Sequence, residues 1–325
     1  MIRTRICELL GVRYPIALGG MGSGHTRPEL VAAVSEAGGF GAFGCFQLTG
    51  DRIRDVAHAI RERTRNPFAL NFLMFAVDES GYAAALKEKP AAIALAWPRP
   101  EQDLKPYIDR AHDAGCKITL MAGSVPEAER GAAAGADVII AQGTEAGGHV
   151  GWMGTMVLTP MIVDAVAPIP VLAAGGIADG RGLAAALALG ADGVLLGTRF
   201  LASNESPLHE NFKRAIVESD GHDTVLTEIP DVAAGNVWPG AMSRAQRNRF
   251  VERWMGREWA LRQHRAAALA KLREAQKSGD AAEAPLSFGQ DAGLIKEILP
   301  VAEIIRRIAA EAEDIVAKRL SVLVK

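Results

Sequence analysis

Short apolar runs recur along the chain, separated by alanine-rich stretches with helical spacing. Eight runs read as strands buried on both faces: PIAL (15–18), FGAF (40–43), FALNF (68–72), AIAL (92–95), KITL (117–120), VIIA (138–141), PVLA (170–173) and GVLL (193–196). Four entries into a run are alike: EAGGFGAFG (36–44), DAGCKITLMAG (113–123), AAGADVIIAQG (133–143) and ALGADGVLLG (188–197). Each ends a helical pattern with Ala-Gly or Leu-Gly, where glycine permits a left-handed helix cap. Strict alternation of strand and helix implies parallel pairing with right-handed crossovers. Eight units predict a closed (β/α)8 TIM barrel; an open doubly wound sheet is the alternative. Thr26-Arg27-Pro28-Glu29 reads as a capping box that starts the first crossover helix.

The pattern breaks after about residue 220. Residues 222–242 are irregular, and a long polar helix is expected from about Ser243 to Lys277. Its Phe250, Trp254 and Leu261 are expected to pack on the barrel. A polar linker (278–285) leads to SFGQDAGLI (287–295), and a final helix over about 300–318 is expected to complete the barrel's outer ring. The expected division is a barrel domain over 1–220, a smaller, mostly helical lid over 221–295, and a C-terminal helix over 296–325 that returns to the barrel.

Composition narrows the function without naming it. The chain has 325 residues, 49% hydrophobic, enough for a sizeable core, and a formal charge of −2 that shows no whole-protein bias toward nucleic acid or anionic membranes. The 244–277 stretch is locally basic, with ten Lys/Arg against three Glu, and reads as a solvated helix face rather than a nucleic-acid arm. Cys7, Cys45 and Cys116 form no CxxC pair, which suits a reducing compartment. The start, MIRTRICELLG, lacks the apolar stretch of a signal peptide. The uncharged segment 146–163 holds four glycines, a histidine and a proline, and reads as a loop and helix start rather than a membrane span. A cytoplasmic protein is expected. No HExxH, paired CxxC, EF-hand or GxSxG pattern occurs, so neither a metal nor a nucleophile elbow is expected.

In such a barrel the chemistry sits at the carboxyl ends of the strands, and the unusual loops fall there. GGIADGRG (175–182) and GTRF (197–200) follow the seventh and eighth runs. Gly175, Gly176, Gly197 and Thr198 offer backbone amides near helix starts, a cradle for phosphate; plain turn chemistry is the bland alternative. Asn71, at the end of the third run, offers a donor and an acceptor. Lys117 places a cation on an otherwise buried strand, where a flavin's pyrimidine edge would be a suitable partner. AQGTEAGGHVG (141–151) surrounds Glu145 and His149 with glycines. Gly147 and Gly148 would let that loop lie flat against a planar ligand and point His149 at its reactive face. Glu145 would orient or cap the loop. Cys45 reads as a small buried thiol. The role of His25, in GGMGSGH (19–25), is open.

AQGTEAGGHVG, AAGGIADGRG (173–182) and LGTRFLA (196–202) together resemble the nitronate monooxygenases, formerly called 2-nitropropane dioxygenases. Residues 15–44 resemble that family's opening segment, with Gly19-Gly20-Met21 where the family more often has Ala-Pro-Met, and FGQDAGLI (288–295) resembles its late segment. The resemblance spans nearly the whole chain. It implies an FMN-containing barrel with a lid. By motif, Asn71, Gln142, Gly147, Gly176, Gly197 and Thr198 would bind FMN. Gly20 and Met21 would line the isoalloxazine, Lys117 would lie near its pyrimidine edge, and His149 would be the active-site histidine. The implied reaction is oxidation of an alkyl nitronate by O2 to a carbonyl compound and nitrite, without nucleic-acid or membrane partners; a homo-oligomer is compatible with it. The family often has glutamine where this chain has Leu195. GTRF and the EAGGH-type loop also resemble FMN- and NAD(P)H-dependent enoyl-acyl-carrier-protein reductases, the rival activity. A phosphate-binding barrel without redox chemistry is a third reading.

Overall fold

The computed structural model describes residues 2–323. Eight parallel strands form the central sheet: β1 (Ile16–Leu18), β2 (Gly41–Gly44), β3 (Phe68–Leu73), β4 (Ala92–Ala96), β5 (Lys117–Ala122), β6 (Val138–Gln142), β8 (Val171–Ala174) and β9 (Gly193–Leu196). The order is β1-β9-β8-β6-β5-β4-β3-β2. A parallel bridge between Ala17 and Phe40 joins the two ends, so the sheet closes into a (β/α)8 barrel and the open-sheet alternative falls. The predicted strands lie within a residue or two of these bounds. In the four recurrent turns Gly38, Gly115, Gly135 and Gly190 have φ of 88°, 83°, 106° and 89°, the left-handed caps that let each helix reverse into the next strand.

Helix α1 (Arg5–Leu10) precedes the barrel; its Ile6 and Leu10 pack with the inward-facing alanines of the strands. The crossover helices are α2 (Pro28–Glu36), α3 (Gly50–Arg61), α4 (Glu79–Glu88), α5 (Lys105–Asp113), α6 (Val125–Ala134), α7 (Thr155–Val166) and α8 (Gly180–Ala188). After β9 come the short α9 (Thr198–Leu201) and α10 (Glu210–Glu218). The chain then leaves the barrel and returns in α15 (Val301–Asp314), which packs between α8 and α2 and fills the ring. Residues 324 and 325 of the expected C-terminal segment lie outside the described residues.

The excursion differs from the expected single polar helix. It begins with β10 (Thr224–Thr227), α11 (Ile229–Ala234) and β11 (Met242–Gln246), followed by three helices, α12 (Arg249–Trp254), α13 (Glu258–Gln263) and α14 (Arg265–Ser278). Strands β10 and β11 pair antiparallel, and β11 pairs in turn with β7 (Gly148–Val150), a strand inside the glycine-rich loop. Phe250 and Leu261 do not pack on the barrel. They are buried with Ile229, Ala233, Val251, Ala268 and Leu272 in a small core of their own, with Trp254 against it. Strands of three to five residues and six-residue helices carry too little periodicity to be read from spacing. Among the described residues no helix is long and apolar enough to cross a membrane.

Candidate active site

Alternate residues of each strand face the barrel axis. Alanines dominate that interior: Ala17, Ala42, Ala69, Ala92, Ala94 and Ala174. Polar side chains of the same parity appear at the carboxyl level, where Asn71 and Gln142 are both buried. Asn71 Nδ2 donates to the Gly20 carbonyl at 2.8 Å. A Cβ on Gly20 would lie 2.4 Å from the Asn71 Cβ, so the glycine is required for the loop after β1 to cross over that side chain. Met21 follows, its Sδ 3.6 Å from where a Cβ on Gly197 would sit. The fold thus gathers Gly20, Met21, Asn71, Gly197 and Thr198 at one mouth. Gln142 Oε1 is buried there without a hydrogen-bond partner, an acceptor that needs a donor.

Lys117 does not lie near the mouth, where the sequence places it. It is the first residue of β5, level with Ala92 at the start of β4, and so lies at the foot of the barrel, opposite the mouth. Its ammonium is half-exposed and pairs with Asp137 at 3.4 Å. Strand direction decides this: the amino end of a parallel strand faces away from the site. The mouth-level residue of the same parity on β5 is Met121.

Arg27, not Thr26, is the N-cap of α2, because Pro28 takes the first helical position. The buried Thr26 hydroxyl instead donates to the Met21 carbonyl at 2.8 Å and accepts from Gly44 N–H at 3.0 Å. It ties the loop after β1 to the end of β2. Thr26→Val keeps the shape and leaves both backbone groups unpaired, so a loss of about 1–3 kcal/mol is expected; the urea midpoint measures it.

Glu145 holds loops together. Its carboxylate accepts from Thr155 N–H at 3.0 and 2.9 Å and from Thr155 Oγ1 at 2.9 Å, at the start of α7. Thr155 Oγ1 also lies 3.0 Å from the Gly175 carbonyl. Gly175 and Gly176, with φ of 98° and 72°, pack on this hub; a Cβ on Gly175 would come within 2.9 Å of the Gly143 carbonyl. The residues 143–148 are covered by the 287–295 segment: Gln290 N–H donates to the Glu145 carbonyl at 2.9 Å, and a Cβ on Gly147 would lie 2.5 Å from Phe288 backbone. Gly148 has φ 74° and open space where a Cβ would point.

The Thr198 hydroxyl accepts from Gly289 N–H at 2.9 Å and hydrogen-bonds the Asp291 carboxyl, so it anchors the 287–295 segment. Asp291 is fully buried, and desolvation pushes its pKa up to about 7 against the opposing hydrogen bond from Thr198. The unfolded chain releases this proton near pH 3.8, whereas the folded protein keeps it to about 7. Stability from this group is therefore full below pH 4, falls as pH rises to about 7 and is flat above. A gap of that size corresponds to roughly 4 kcal/mol. Asp291→Asn is expected to abolish that fall and to raise Tm at pH 8 but not at pH 4, as followed by thermal melts across that range.

His149 does not lie in a bare loop. It sits on β7, opposite Ser243 of β11. Its Nε2 lies 2.9 Å from Asp231 Oδ2, and its ring stacks on Trp238 with centroids 3.4 Å apart and planes 13° from parallel. Trp238 contacts Phe75, just after β3, and Trp97, just after β4, at 4.8 and 6.0 Å between centroids. Asp231 and Trp238 both come from the excursion, and no spacing in the sequence connects them to His149. Ser23, Gln47 and Trp97 have positive φ of 57°, 60° and 54°, each on a loop that follows a barrel strand; such strain gathers at functional sites. His25 serves its own turn, with Nδ1 2.8 Å from the Gly22 carbonyl. Cys45 is buried, which pushes its thiol pKa far up and leaves it inert. No cluster of metal-ligating side chains is present among the described residues.

A family model described as "Nitronate monooxygenase" matches residues 3–311. A probable nitronate monooxygenase of Staphylococcus aureus is 36% identical over 295 residues, covering 77% of this chain and 80% of that one. Among solved structures, FabK from Thermotoga maritima aligns over 99% of this chain and 100% of that one, with 36% identity and a TM-score of 0.87. A nitroalkane oxidase from Streptomyces ansochromogenes aligns over 98% and 99%, with 29% identity and a TM-score of 0.82.

Proposed function

The chain belongs to the nitronate monooxygenase family, and from that premise we propose that it holds FMN across the barrel mouth and oxidises alkyl nitronates with O2 to a carbonyl compound and nitrite. The observation that carries the cofactor is the buried, unpartnered Gln142 Oε1. A flavin's pyrimidine ring carries the N–H donor it lacks. Asn71 keeps its Oδ1 as a second acceptor, since Nδ2 is taken by Gly20. Met21 lends an apolar surface to the isoalloxazine. The turns at Gly175–Gly176 and Gly197–Thr198 would receive the phosphate through backbone amides. Gly147 and Gly148 keep the loop before His149 free of side-chain bulk. FMN, when bound, supplies the redox chemistry.

His149 has two uses. It positions the anionic nitro group of a nitronate, or it takes the α-proton when a neutral nitroalkane binds. Trp238, Trp97 and Phe75 form an aromatic wall above it that excludes water.

The rival reading is an NAD(P)H-dependent enoyl-acyl-carrier-protein reductase. Two observations favour it: the likeness to FabK over 99% of the chain, and the exposed basic residues Arg262, Arg265, Lys271, Arg273 and Lys277 of the excursion, which suit an acidic carrier. An absorbance spectrum of the purified protein, taken before and after anaerobic addition of an alkyl nitronate and then of NAD(P)H, separates them. A flavin spectrum that responds to the nitronate supports the monooxygenase. A flavin that ignores the nitronate and bleaches with NAD(P)H supports the reductase. Absence of flavin after reconstitution with FMN would sink both.

A further inference from the structure

Three separate pieces of chain converge on one imidazole. Strand β7 carries His149, α11 carries Asp231, 82 residues on, and the loop before β11 carries Trp238. The hydrogen bond at 2.9 Å fixes one ring nitrogen, and the near-parallel indole at 3.4 Å fixes the ring plane. Together they remove the side chain's torsional freedom. Both partners are only partly accessible, with side-chain exposures of 16% for His149 and 13% for Asp231, so the pair is shielded from competing water. The nitrogen committed to the carboxylate is Nε2, which leaves Nδ1 for chemistry.

We propose that Asp231 is the positioning residue of His149: its carboxylate accepts Nε2–H, holds the neutral ring in that tautomer, and presents Nδ1 as the basic nitrogen, while Trp238 fixes the ring plane. The role in turnover rests on the function proposed above; the tautomer does not. When Nδ1 takes the α-proton of a nitroalkane, the electron pair of the broken C–H bond stays on the substrate as the nitronate. The imidazole becomes an imidazolium that keeps its Nε2–H on Asp231. A ring held this way loses no time or energy to reorientation. The lid, in this assignment, contributes to catalysis itself and does not merely cover the barrel.

The test uses the FMN-loaded full chain labelled with 15N-histidine, with the His149 signals identified by their loss in His149→Gln. Nitrogen NMR of the wild type is expected to show a protonated Nε2 and a bare Nδ1. Asp231→Asn, whose amide can rotate to donate to Nε2, is expected to populate the Nδ1–H form; Asp231→Ala is expected to mix the two. With an alkyl nitroalkane, kcat of both variants is expected to fall by about 10- to 100-fold, with KM within about threefold and flavin content unchanged. A wild-type His149 protonated on Nδ1 overturns the proposal. So does wild-type kcat in both variants, whatever their nitrogen spectra. If the wild type leaves nitro compounds untouched, the function proposed above fails, and the nitrogen spectra still decide the His149–Asp231 assignment.

Discussion

His149→Ala is expected to retain FMN and lose turnover by roughly 100-fold or more, the scale of a missing general acid–base or positioning group. Its backbone pairs with β11 through Ser243 regardless of the side chain, so β7 persists. The residues proposed to bind FMN lie on other loops, apart from Gln142, Gly147 and Gly148 on the segment that leads into His149. The substitution does leave the Asp231 carboxylate without its partner and opens space against Trp238. His149→Gln, which fills more of that space, therefore belongs in the same experiment to separate lost chemistry from lost packing. Steady-state rates set against flavin absorbance per protein give the answer. Undiminished turnover in both variants removes His149 from the mechanism.

Gly147→Ala is expected to have a large structural effect for a single methyl group. The added carbon would lie 2.5 Å from the Phe288 Cα and carbonyl carbon and 2.6 Å from Gly289 N. Those are backbone atoms of a segment anchored through Gly289 N–H to Thr198 and through Gln290 N–H to Glu145. A side chain would swing away, but this seam can only separate. A loss of about 3 kcal/mol is expected, at the upper end for overpacking, together with weaker FMN retention. Gly148→Ala is the internal control. At φ 74° it bears backbone strain of about 1–2 kcal/mol but meets no atom within 4 Å. Chemical denaturation and flavin release of the pair should therefore separate clearly. Equal behaviour would show that the 287–295 segment does not clamp the loop.

The barrel was legible because parallel strands buried on both faces read as unbroken apolar runs, and because the helix-ending glycines mark where each run begins. The same logic failed for β7, β10 and β11. GHV, TVLT and MSRAQ are short, mixed in polarity and flanked by glycine or polar residues, so neither period stands out. Strands β10 and β11 pair within the excursion, and the β11–β7 pairing arises from tertiary contact between the excursion and the loop after β6. Two local departures of the structure from the sequence pattern have equally specific causes. Thr26 fits a capping box by spacing, but Pro28 sets the helix start one residue later than the box requires, and the hydroxyl bridges Met21 and Gly44 instead. Lys117 is a cation on a buried strand, as read, but the strand runs from the foot of the barrel to the mouth and Lys117 is at its first residue.

The family and the order of the mouth loops follow from the sequence alone, because each strand–loop–helix unit carries its own local signature and eight of them in a row close in only a few ways. The same holds for the grouping of Gly20, Met21, Asn71, Gln142, Gly197 and Thr198 at one end. What only the tertiary structure decided is the environment of His149. A hydrogen-bond partner 82 residues away and a stacked indole are long-range contacts, and a lone histidine in a glycine-rich stretch carries no record of them. The same is true of the buried Asp291 and the open acceptor on Gln142: their chemistry comes from what surrounds them, and burial is a property of the folded chain.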